Sequence, residues 1–154
     1  MQKLLWLDDD ARSISHERDI LIPDYFEIAT IKIISFEKID ELLEYLWANT
    51  IHENDVFIID IMLISEDEIM FPEEKTIFIP DDLMAGATLY QEFLRNKYPM
   101  NPIVLYTSRE HDGDIFKTIK RDSRYGKNIY LIDKWKKDTE FIDILKKIIR
   151  KPNA

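Results

Sequence analysis

The segment DVFIID, residues 55–60, is a short apolar run that begins and ends in aspartate. Its apolar residues are continuous rather than alternating with polar ones, which is typical of a strand buried on both faces of a parallel sheet. Ligand sites of open α/β sheets lie beyond the carboxyl ends of the strands. Asp60 is therefore predicted to stand at such a site.

Four further segments have the same apolar character. They are KLLWL (3–7), ATIKII (29–34), PIVLYT (102–107) and NIYLI (128–132), and amphipathic stretches accompany them at 11–22, 36–48, 82–97, 113–124 and 138–150. Five strands alternating with five helices predict a doubly wound α/β domain with a mostly parallel sheet. The second segment alternates, with Lys32 between two isoleucines, and is predicted to form an edge strand.

The helix boundaries are predicted from capping and breaking residues. Asp10 is expected to cap the helix over 11–22, Pro23 to end it, and Ser35 to cap the helix over 36–48. Trp47 continues the helical spacing of the apolar residues in that second helix. All three tryptophans, Trp6, Trp47 and Trp135, are predicted to pack in the core or at its rim.

Composition limits the class of protein. The 154 residues predict a single domain over 1–151 with no separate output domain, and the absence of cysteine excludes disulfides and thiolate chemistry. A net charge of -9 argues against direct binding to nucleic acid. No signal peptide or membrane-spanning run is present, so we expect a cytoplasmic protein without membrane contacts.

Residues 64–81 interrupt the alternation of strands and helices. A connection between a strand and the next helix normally takes about 2–6 residues, so this segment is an insertion. Within it, EIMF and TIFI flank PEEK, a pattern that predicts a small β-hairpin. Both a tolerated surface excursion and a lid or docking element are compatible with its position.

Polar residues follow the predicted strands at their carboxyl ends. They are Asp8, Asp9 and Asp10 after the first strand, Asp60 after the third, Thr107 and Ser108 after the fourth, and Asp133 and Lys134 after the fifth. Clustered carboxylates need a cation, and an oxygen-only ligand set suits Mg²⁺. A metal-bound carboxylate beside a hydroxyl and an ammonium group is suited to accept a phosphoryl group. Asp10 is the exception, because a capping role is the simpler explanation.

The ordered set of motifs resembles the response-regulator receiver family. LLWLDD (4–9), VFIID (56–60), VLYTS (104–108) and YLIDK (130–134) are similar to its acidic, phospho-acceptor, hydroxyl and lysine strands, and Gly86 to the glycine before its third helix. The resemblance covers nearly the whole chain except 64–81. It implies a flavodoxin-like sheet of five parallel strands in the order 2-1-3-4-5.

The resemblance also implies a role for individual residues. Asp60 would be the phospho-acceptor, and Thr107 and Lys134 would contact the phosphoryl group. Mg²⁺ or Mn²⁺ would be held by Asp8, Asp9, Asp60 and the backbone carbonyl of Met62. The chain would then be a single-domain response regulator that phosphorylates itself and slowly dephosphorylates, not a turnover enzyme.

The implied partners are proteins. A histidine kinase or phosphotransfer protein would supply the phosphoryl group, and a downstream protein would bind through 112–137 or through the insertion. The first of these regions is basic although the chain has a net negative charge. Its cationic residues are Lys117, Lys120, Arg121, Arg124, Lys127, Lys136 and Lys137. It is read either as a solvated face or as a surface for an acidic partner.

Some residues depart from the family pattern. Trp135 replaces the proline that usually follows the lysine, and Leu131 occupies the position of an aromatic switch residue, with Tyr130 one step away on the opposite face. These departures favour an alternative, a receiver-like scaffold that works without phosphorylation. A phosphatase of the haloacid-dehalogenase type is a third hypothesis, weakened by the lack of a further acidic strand end after Lys134.

Overall fold

Among the residues that the structure describes, seven strands form two sheets. The strands are β1 (Gln2–Leu7), β2 (Ile31–Phe36), β3 (Val56–Asp60), β4 (Glu68–Met70), β5 (Thr76–Phe78), β6 (Ile103–Thr107) and β7 (Ile129–Asp133). The main sheet is parallel throughout and has the order β2-β1-β3-β6-β7, while β4 and β5 form a separate antiparallel pair. Without the hairpin strands this is the order 2-1-3-4-5, so the predicted fold class is confirmed. β2 is an edge strand, as its alternating sequence predicted.

The structure is a computed structural model that describes residues 1–10, 12, 14–27, 30–61, 63, 68–70, 76–78, 85–107, 114–133 and 138–149. For residues 68–70, 76–78, 107, 138 and 139 it describes the backbone alone. Met62, Ser108, Lys134 and Trp135 lie outside the described residues, as does most of 64–81.

Helices cover both faces of the main sheet. They are α1 (a π-helical turn, Glu17–Leu21, followed by Ile22–Tyr25), α2 (Ile39–Ala48), α3 (Ala85–Leu89, a π-helical segment Tyr90–Leu94, and Arg95–Lys97), α4 (Asp114–Lys120) and α5 (Asp138–Ile148). Every predicted helix is present, with ends that differ from the prediction by a few residues. No helix in the described part of the chain is long and apolar enough to cross a membrane.

Two apolar cores lie on the two faces of the main sheet. One joins α2, α3 and α4 to strand residues such as Leu5 and Phe57. The other joins α1 and α5 to their neighbours in the strands, such as Leu4 and Ile58. Successive strand residues point to opposite faces. Because both faces are covered, the inner strands are apolar at most positions, which explains the continuous runs in the sequence.

Pro23 does not end α1, so that prediction was wrong. The helix continues to Tyr25, and the Phe26 N–H donates to the Ile22 carbonyl at 3.0 Å. Just before the proline, the Ile22 N–H donates to the carbonyl of Glu17, five residues back. This wider π turn moves the preceding carbonyls away from the proline ring, which would collide with one of them in a regular α-helix.

Asp10 is not the cap of α1, which also corrects the prediction. The helix begins several residues later, and His16 precedes its π-helical turn. The Asp10 carboxylate instead accepts the Arg12 N–H at 3.2 Å. Aspartate commonly makes such short-range contacts to the backbone two residues on.

Ser35 lies inside β2 and does not cap α2. The strand continues to Phe36 because the pairing with β1 extends to Leu7 opposite Phe36. The residue before α2 is Lys38, whose backbone is extended and whose side chain makes no capping hydrogen bond. The sheet pairing therefore overrides the local capping signal.

Trp6 and Trp47 have opposite environments. Trp6 is fully buried and packs against Tyr106 and Phe141, with ring centroids 5.9 and 5.6 Å apart. Trp47 is 72% exposed, so its predicted packing was wrong. The buried stripe of α2 runs through Ile39, Leu42, Leu43 and Leu46. Trp47 lies about 90° from the middle of that stripe at 3.6 residues per turn, which places its ring outside the core.

The hairpin predicted within the insertion is present. β4 and β5 pair in antiparallel register, with Glu68 opposite Phe78 and Met70 opposite Thr76. β4 lies beside α2, with Cα atoms within 8 Å. The first strand of the hairpin therefore lies against the helix that follows β2.

A polar network joins α3 to the segment before β7. The Asp122 carboxylate accepts hydrogen bonds from the Tyr90 hydroxyl, from Arg95 Nε at 2.5 Å and Nη2 at 3.3 Å, and from the Arg124 N–H at 3.0 Å. The Arg124 guanidinium donates to the carbonyls of Arg95 and Asn101 at 3.1 and 3.2 Å. Arg124 therefore links the segment before β7 to the end of α3 and the residues after it, and it does not belong to a solvated basic face.

This network changes the ionisation of its members. Burial would raise the pKa of Asp122, but the hydrogen bonds from Arg95 and Tyr90 lower it to about 2. Burial and then the adjacent carboxylate raise the pKa of Tyr90 above its ordinary value. At neutral pH the network therefore holds an ionised carboxylate, a neutral phenol and a guanidinium ion.

Candidate functional site

Asp8 is held in place by the β1–β2 pairing. Its N–H donates to the Phe36 carbonyl at 3.0 Å, which extends the ladder one residue beyond β1. Its Oδ1 accepts the Asp10 N–H at 2.8 Å, and the residue is only 2% exposed. Asp8 is thus a buried carboxylate with a fixed backbone, while the neighbouring Asp9 is exposed.

Asp60 lies beside this pair because of the strand register. Leu7 of β1 pairs with Ile59 of β3, so the next residue of each strand, Asp8 and Asp60, occupies the same edge of the sheet. Asp60 is 4% exposed and pairs with Tyr106 on its other side. Residues far apart in sequence therefore meet because parallel strands end together.

The three carboxylates form one cluster. Asp8, Asp9 and Asp60 each place a carboxylate oxygen within 4.8 Å of the other two. Carboxylates this close repel one another when ionised, and burial of two of them strengthens the repulsion. Hard divalent cations such as Mg²⁺ and Ca²⁺ prefer oxygen ligands of this type. The donor set therefore fits a divalent cation, as the sequence predicted.

The remaining predicted site residues are only partly described. Thr107 ends β6, and its backbone pairs with Asp133 of β7. The strand ends predicted to carry the hydroxyl and the lysine are thus adjacent, next to that of Asp60. Met62 and Lys134 lie outside the described residues, so their predicted roles stay predictions.

Gly86 makes a contact whose physical role the sequence could not reveal. Its N–H donates to the Ile61 carbonyl at 3.2 Å. A Cβ atom at this position would lie 2.8 Å from the Asp60 carbonyl carbon and 2.9 Å from Ile61 Cα, and nearer still to the Asp60 carbonyl oxygen. Only glycine lets α3 approach the end of β3 this closely. The resemblance pointed to the residue, and the contact explains why it must lack a side chain.

The residues at the predicted switch position are arranged as the alternation of β7 requires. Leu131 is buried in the core beneath α2, α3 and α4. Tyr130 belongs to the opposite core, and its hydroxyl donates to the Lys127 carbonyl at 2.6 Å. The described residue at the switch position is therefore aliphatic, and the neighbouring tyrosine faces away from it.

Comparison with known proteins bears on the fold. No protein-family model and no curated protein match the sequence. Several solved structures do match. RcsB from Salmonella enterica serovar Typhimurium, bound to promoter rprA with phosphomimetic BeF3-, has a TM-score of 0.64 at 13% identity over 96% of this chain and 98% of its own. The bacteriophytochrome response regulator AtBRR has a TM-score of 0.60 at 13% identity, covering 100% and 99% of the two chains.

A third structure makes the type of domain explicit. The BeF3-activated N-terminal receiver domain of Klebsiella pneumoniae RstA has a TM-score of 0.53 at 18% identity, covering 97% of this chain and 100% of its own. The chain has the receiver fold. The strand order described above is thus that of a receiver domain, with a hairpin inserted between β3 and α3.

Proposed function

We propose that this receiver domain is a response regulator that accepts a phosphoryl group at Asp60 in the presence of Mg²⁺. The carboxylate cluster of Asp8, Asp9 and Asp60 at the carboxyl edge of the receiver sheet carries the proposal. A structural match at low identity supports the fold, whereas the cluster supports the chemistry. Asp8 and Asp60 are both buried at this edge, where a bound cation would offset the cost of holding two carboxylates out of water.

The proposed reaction is a phosphoryl transfer from nitrogen to oxygen. A carboxylate oxygen of Asp60 attacks the phosphorus of a phosphohistidine, the P–O bond forms, and the P–N bond breaks. The imidazole leaves with the electron pair of that bond and takes up a proton. Asp8, Asp9, Asp60 and the Met62 carbonyl would hold Mg²⁺ or Mn²⁺. Bound there, the ion supplies positive charge that offsets the negative charge of the phosphoryl oxygens.

Two further side chains complete the proposed site. The Thr107 hydroxyl would donate a hydrogen bond to the phosphoryl group, and the Lys134 ammonium would pair with its charge. Water would later attack the acyl phosphate slowly and restore Asp60. The rate of this hydrolysis sets how long the phosphorylated state lasts. The domain therefore acts as a phosphoryl acceptor and not as a turnover enzyme.

The proposed partners follow from this chemistry. A histidine kinase or a phosphotransfer protein supplies the phosphoryl group, and a downstream protein reads the state of the domain through 112–137 or the 64–81 insertion. We place this exchange in the cytoplasm, and it requires no direct contact with nucleic acid or membrane.

A scaffold that works without phosphorylation is the second candidate. The observation that favours it is the buried, aliphatic Leu131 at the switch position, with the Tyr130 hydroxyl bonded on the other face. Such a domain would bind the same partner whether or not Asp60 is modified. If the domain is a phosphoryl acceptor, Asp60→Asn abolishes phosphorylation and changes partner binding. If it is a scaffold, Asp60→Asn leaves partner binding unchanged.

Acetyl phosphate with Mg²⁺ tests the proposed function directly. We expect intact-mass spectrometry to show one added phosphoryl group in the wild type and in Asp10→Asn, and none in Asp60→Asn. Asp10 is a matched control because it is an exposed aspartate next to the cluster but outside it. An unmodified wild type would refute phosphorylation and favour the scaffold, and sustained turnover of a phosphomonoester would favour a phosphatase.

Cation binding should also stabilise the fold. At a Mg²⁺ concentration about one hundred times the dissociation constant, the gain is about 2.7 kcal/mol, measured by thermal unfolding against a sample in chelator. Asp9→Asn should be more stable than the wild type without Mg²⁺, because one repelling charge is gone, and should gain less when Mg²⁺ is added. Asp10→Asn should gain as much as the wild type. An equal gain in Asp9→Asn would exclude Asp9 as a ligand.

A further inference from the structure

Two helices at opposite edges of one helix layer expose charges of opposite sign. α2 contacts β1 and β2 at one edge of the sheet, whereas α4 connects β6 to β7 at the other. Both helices bury their apolar residues in the same core. Their outer faces therefore belong to one side of the molecule but cannot touch each other within one copy.

The outer face of α2 is acidic and ends in an exposed aromatic ring. Asp40, Glu41 and Glu44 are exposed, and α2 contains no lysine or arginine. Trp47, one helical turn after Glu44, is 72% exposed. Tryptophan is highly buried on average, and it is strongly enriched among residues that dominate binding energy. We call this surface, Asp40, Glu41, Glu44 and Trp47, the α2 face.

The outer face of α4 is basic in a protein of net charge -9. Lys117, Lys120, Arg121 and Lys127 are exposed on the helix and the segment that follows it, with Asp114 as the exposed acid of the helix. Asp122 does not reduce this charge at the surface, because its carboxylate is bound to Arg95 and Tyr90. We call the four cations the α4 face.

Neither face is neutralised within the described residues. Ion pairs in that part of the chain join Lys3 to Asp55, Arg18 to Asp19 and Arg95 to Asp122, and none of these includes a residue of the two faces. Each face therefore presents charges that a complementary surface can pair. The matching surface of opposite sign is carried by every other copy of the same chain.

We propose that this chain self-associates head to tail, with the α2 face of one copy bound to the α4 face of the next. The carboxylates of the α2 face pair with the cations of the α4 face, and Trp47 packs at the centre of the contact. Because the two faces differ, the contact is heterologous and leaves one face of each kind free at the ends. It can therefore add further copies or close into a ring. This proposal does not depend on phosphorylation.

Sedimentation velocity of the full chain over a range of concentrations tests this contact. At about 0.1 M NaCl, where the screening length is near 10 Å, we expect the average mass to rise above the 18.4 kDa of one copy. At about 0.5 M NaCl the rise should be much smaller, because screening weakens the ion pairs. Trp47→Ala should weaken association about tenfold.

Charge reversal identifies the faces. Glu41→Lys with Glu44→Lys should abolish association, and so should Lys117→Glu with Arg121→Glu. An equimolar mixture of the two proteins should associate again, because the unaltered α4 face of the first protein can bind the unaltered α2 face of the second. The control is Lys146→Glu with Lys147→Glu, two exposed residues of α5. It changes the net charge by the same amount as Lys117→Glu with Arg121→Glu and should leave association intact.

Specific outcomes would overturn the proposal. They are a wild type that stays monomeric at every concentration, association that persists unchanged at high salt, and a mixture of the two charge-reversed proteins that does not associate. Circular dichroism checks that each variant is folded. The mixture excludes loss of folding as the cause, since two proteins that do not associate alone would associate with each other.

Discussion

Gly86→Ala is expected to lower the free energy of unfolding by about 3 kcal/mol, the upper range for overpacking a well-packed site. The added methyl group would lie 2.8 Å from the Asp60 carbonyl carbon and 2.9 Å from Ile61 Cα. These neighbours are backbone atoms of a central strand, so they cannot rotate away as a side chain would. Either α3 or the end of β3 must shift, which would also move the Asp60 carboxylate and weaken the response to Mg²⁺.

Gly126→Ala is the matched control for this substitution. Gly126 has a φ of 82°, and a Cβ atom there would meet nothing within 4 Å. The cost is then backbone strain alone, about 1 kcal/mol. Gly126 precedes β7, at the end of the sheet opposite the carboxylate cluster, so its Mg²⁺ response should equal that of the wild type. Urea unfolding with and without Mg²⁺ measures both quantities. If the two variants lose the same stability and gain the same stability from Mg²⁺, the close contact of Gly86 with the end of β3 does not explain the effect.

Asp122→Ala is expected to cost about 3 kcal/mol at pH 7, because it removes a buried carboxylate that accepts hydrogen bonds from three groups, one of them a partly exposed guanidinium. The Tyr90 hydroxyl, the Arg95 guanidinium and the Arg124 N–H would all lose their partner. Urea unfolding at pH 7 measures the loss. Asp143→Ala, at an exposed aspartate on α5, should change stability by no more than about 0.5 kcal/mol.

The contribution of Asp122 should also depend on pH. Its pKa is lowered from 3.8 to about 2 in the folded protein. A lowered pKa stabilises the fold above the unfolded value, and this stabilisation is lost as the pH falls through the folded value. Lowering a pKa by one corresponds to 1.36 kcal/mol, so the ionised Asp122 stabilises the fold by about 2 kcal/mol at neutral pH. The stability gap between wild type and Asp122→Ala should therefore narrow below about pH 4, and a gap independent of pH down to 2 would disprove the assignment.

The parallel sheet could be predicted because its cause is local to each strand. A strand covered on both faces must be apolar at successive positions, and VFII before Asp60 is such a run. The same reasoning placed the hairpin of β4 and β5, because two short apolar runs flank a turn. Helix ends were less predictable. Ser35 had the right local chemistry for a cap, but pairing with β1 drew it into β2.

The carboxylate cluster was predictable in kind, and its geometry was not. The sequence places Asp8, Asp9 and Asp60 at strand ends, and the resemblance to receiver domains orders those strands. Leu7 pairs with Ile59 across the two strands, and this register brings the oxygens of the three carboxylates within 4.8 Å of one another. Register is a property of two paired strands, so a single strand cannot specify it.

The sequence by itself thus determined which strands and helices form and which chemical groups stand at the strand ends, because apolar periodicity acts over a few residues. Only the tertiary structure decided which groups meet. It brought Gly86 against the Asp60 carbonyl, joined Asp122 to Tyr90 and Arg95, and left Trp47 outside the core. Each of these results depends on how two elements distant in sequence pack together, and local sequence patterns carry no information about that packing.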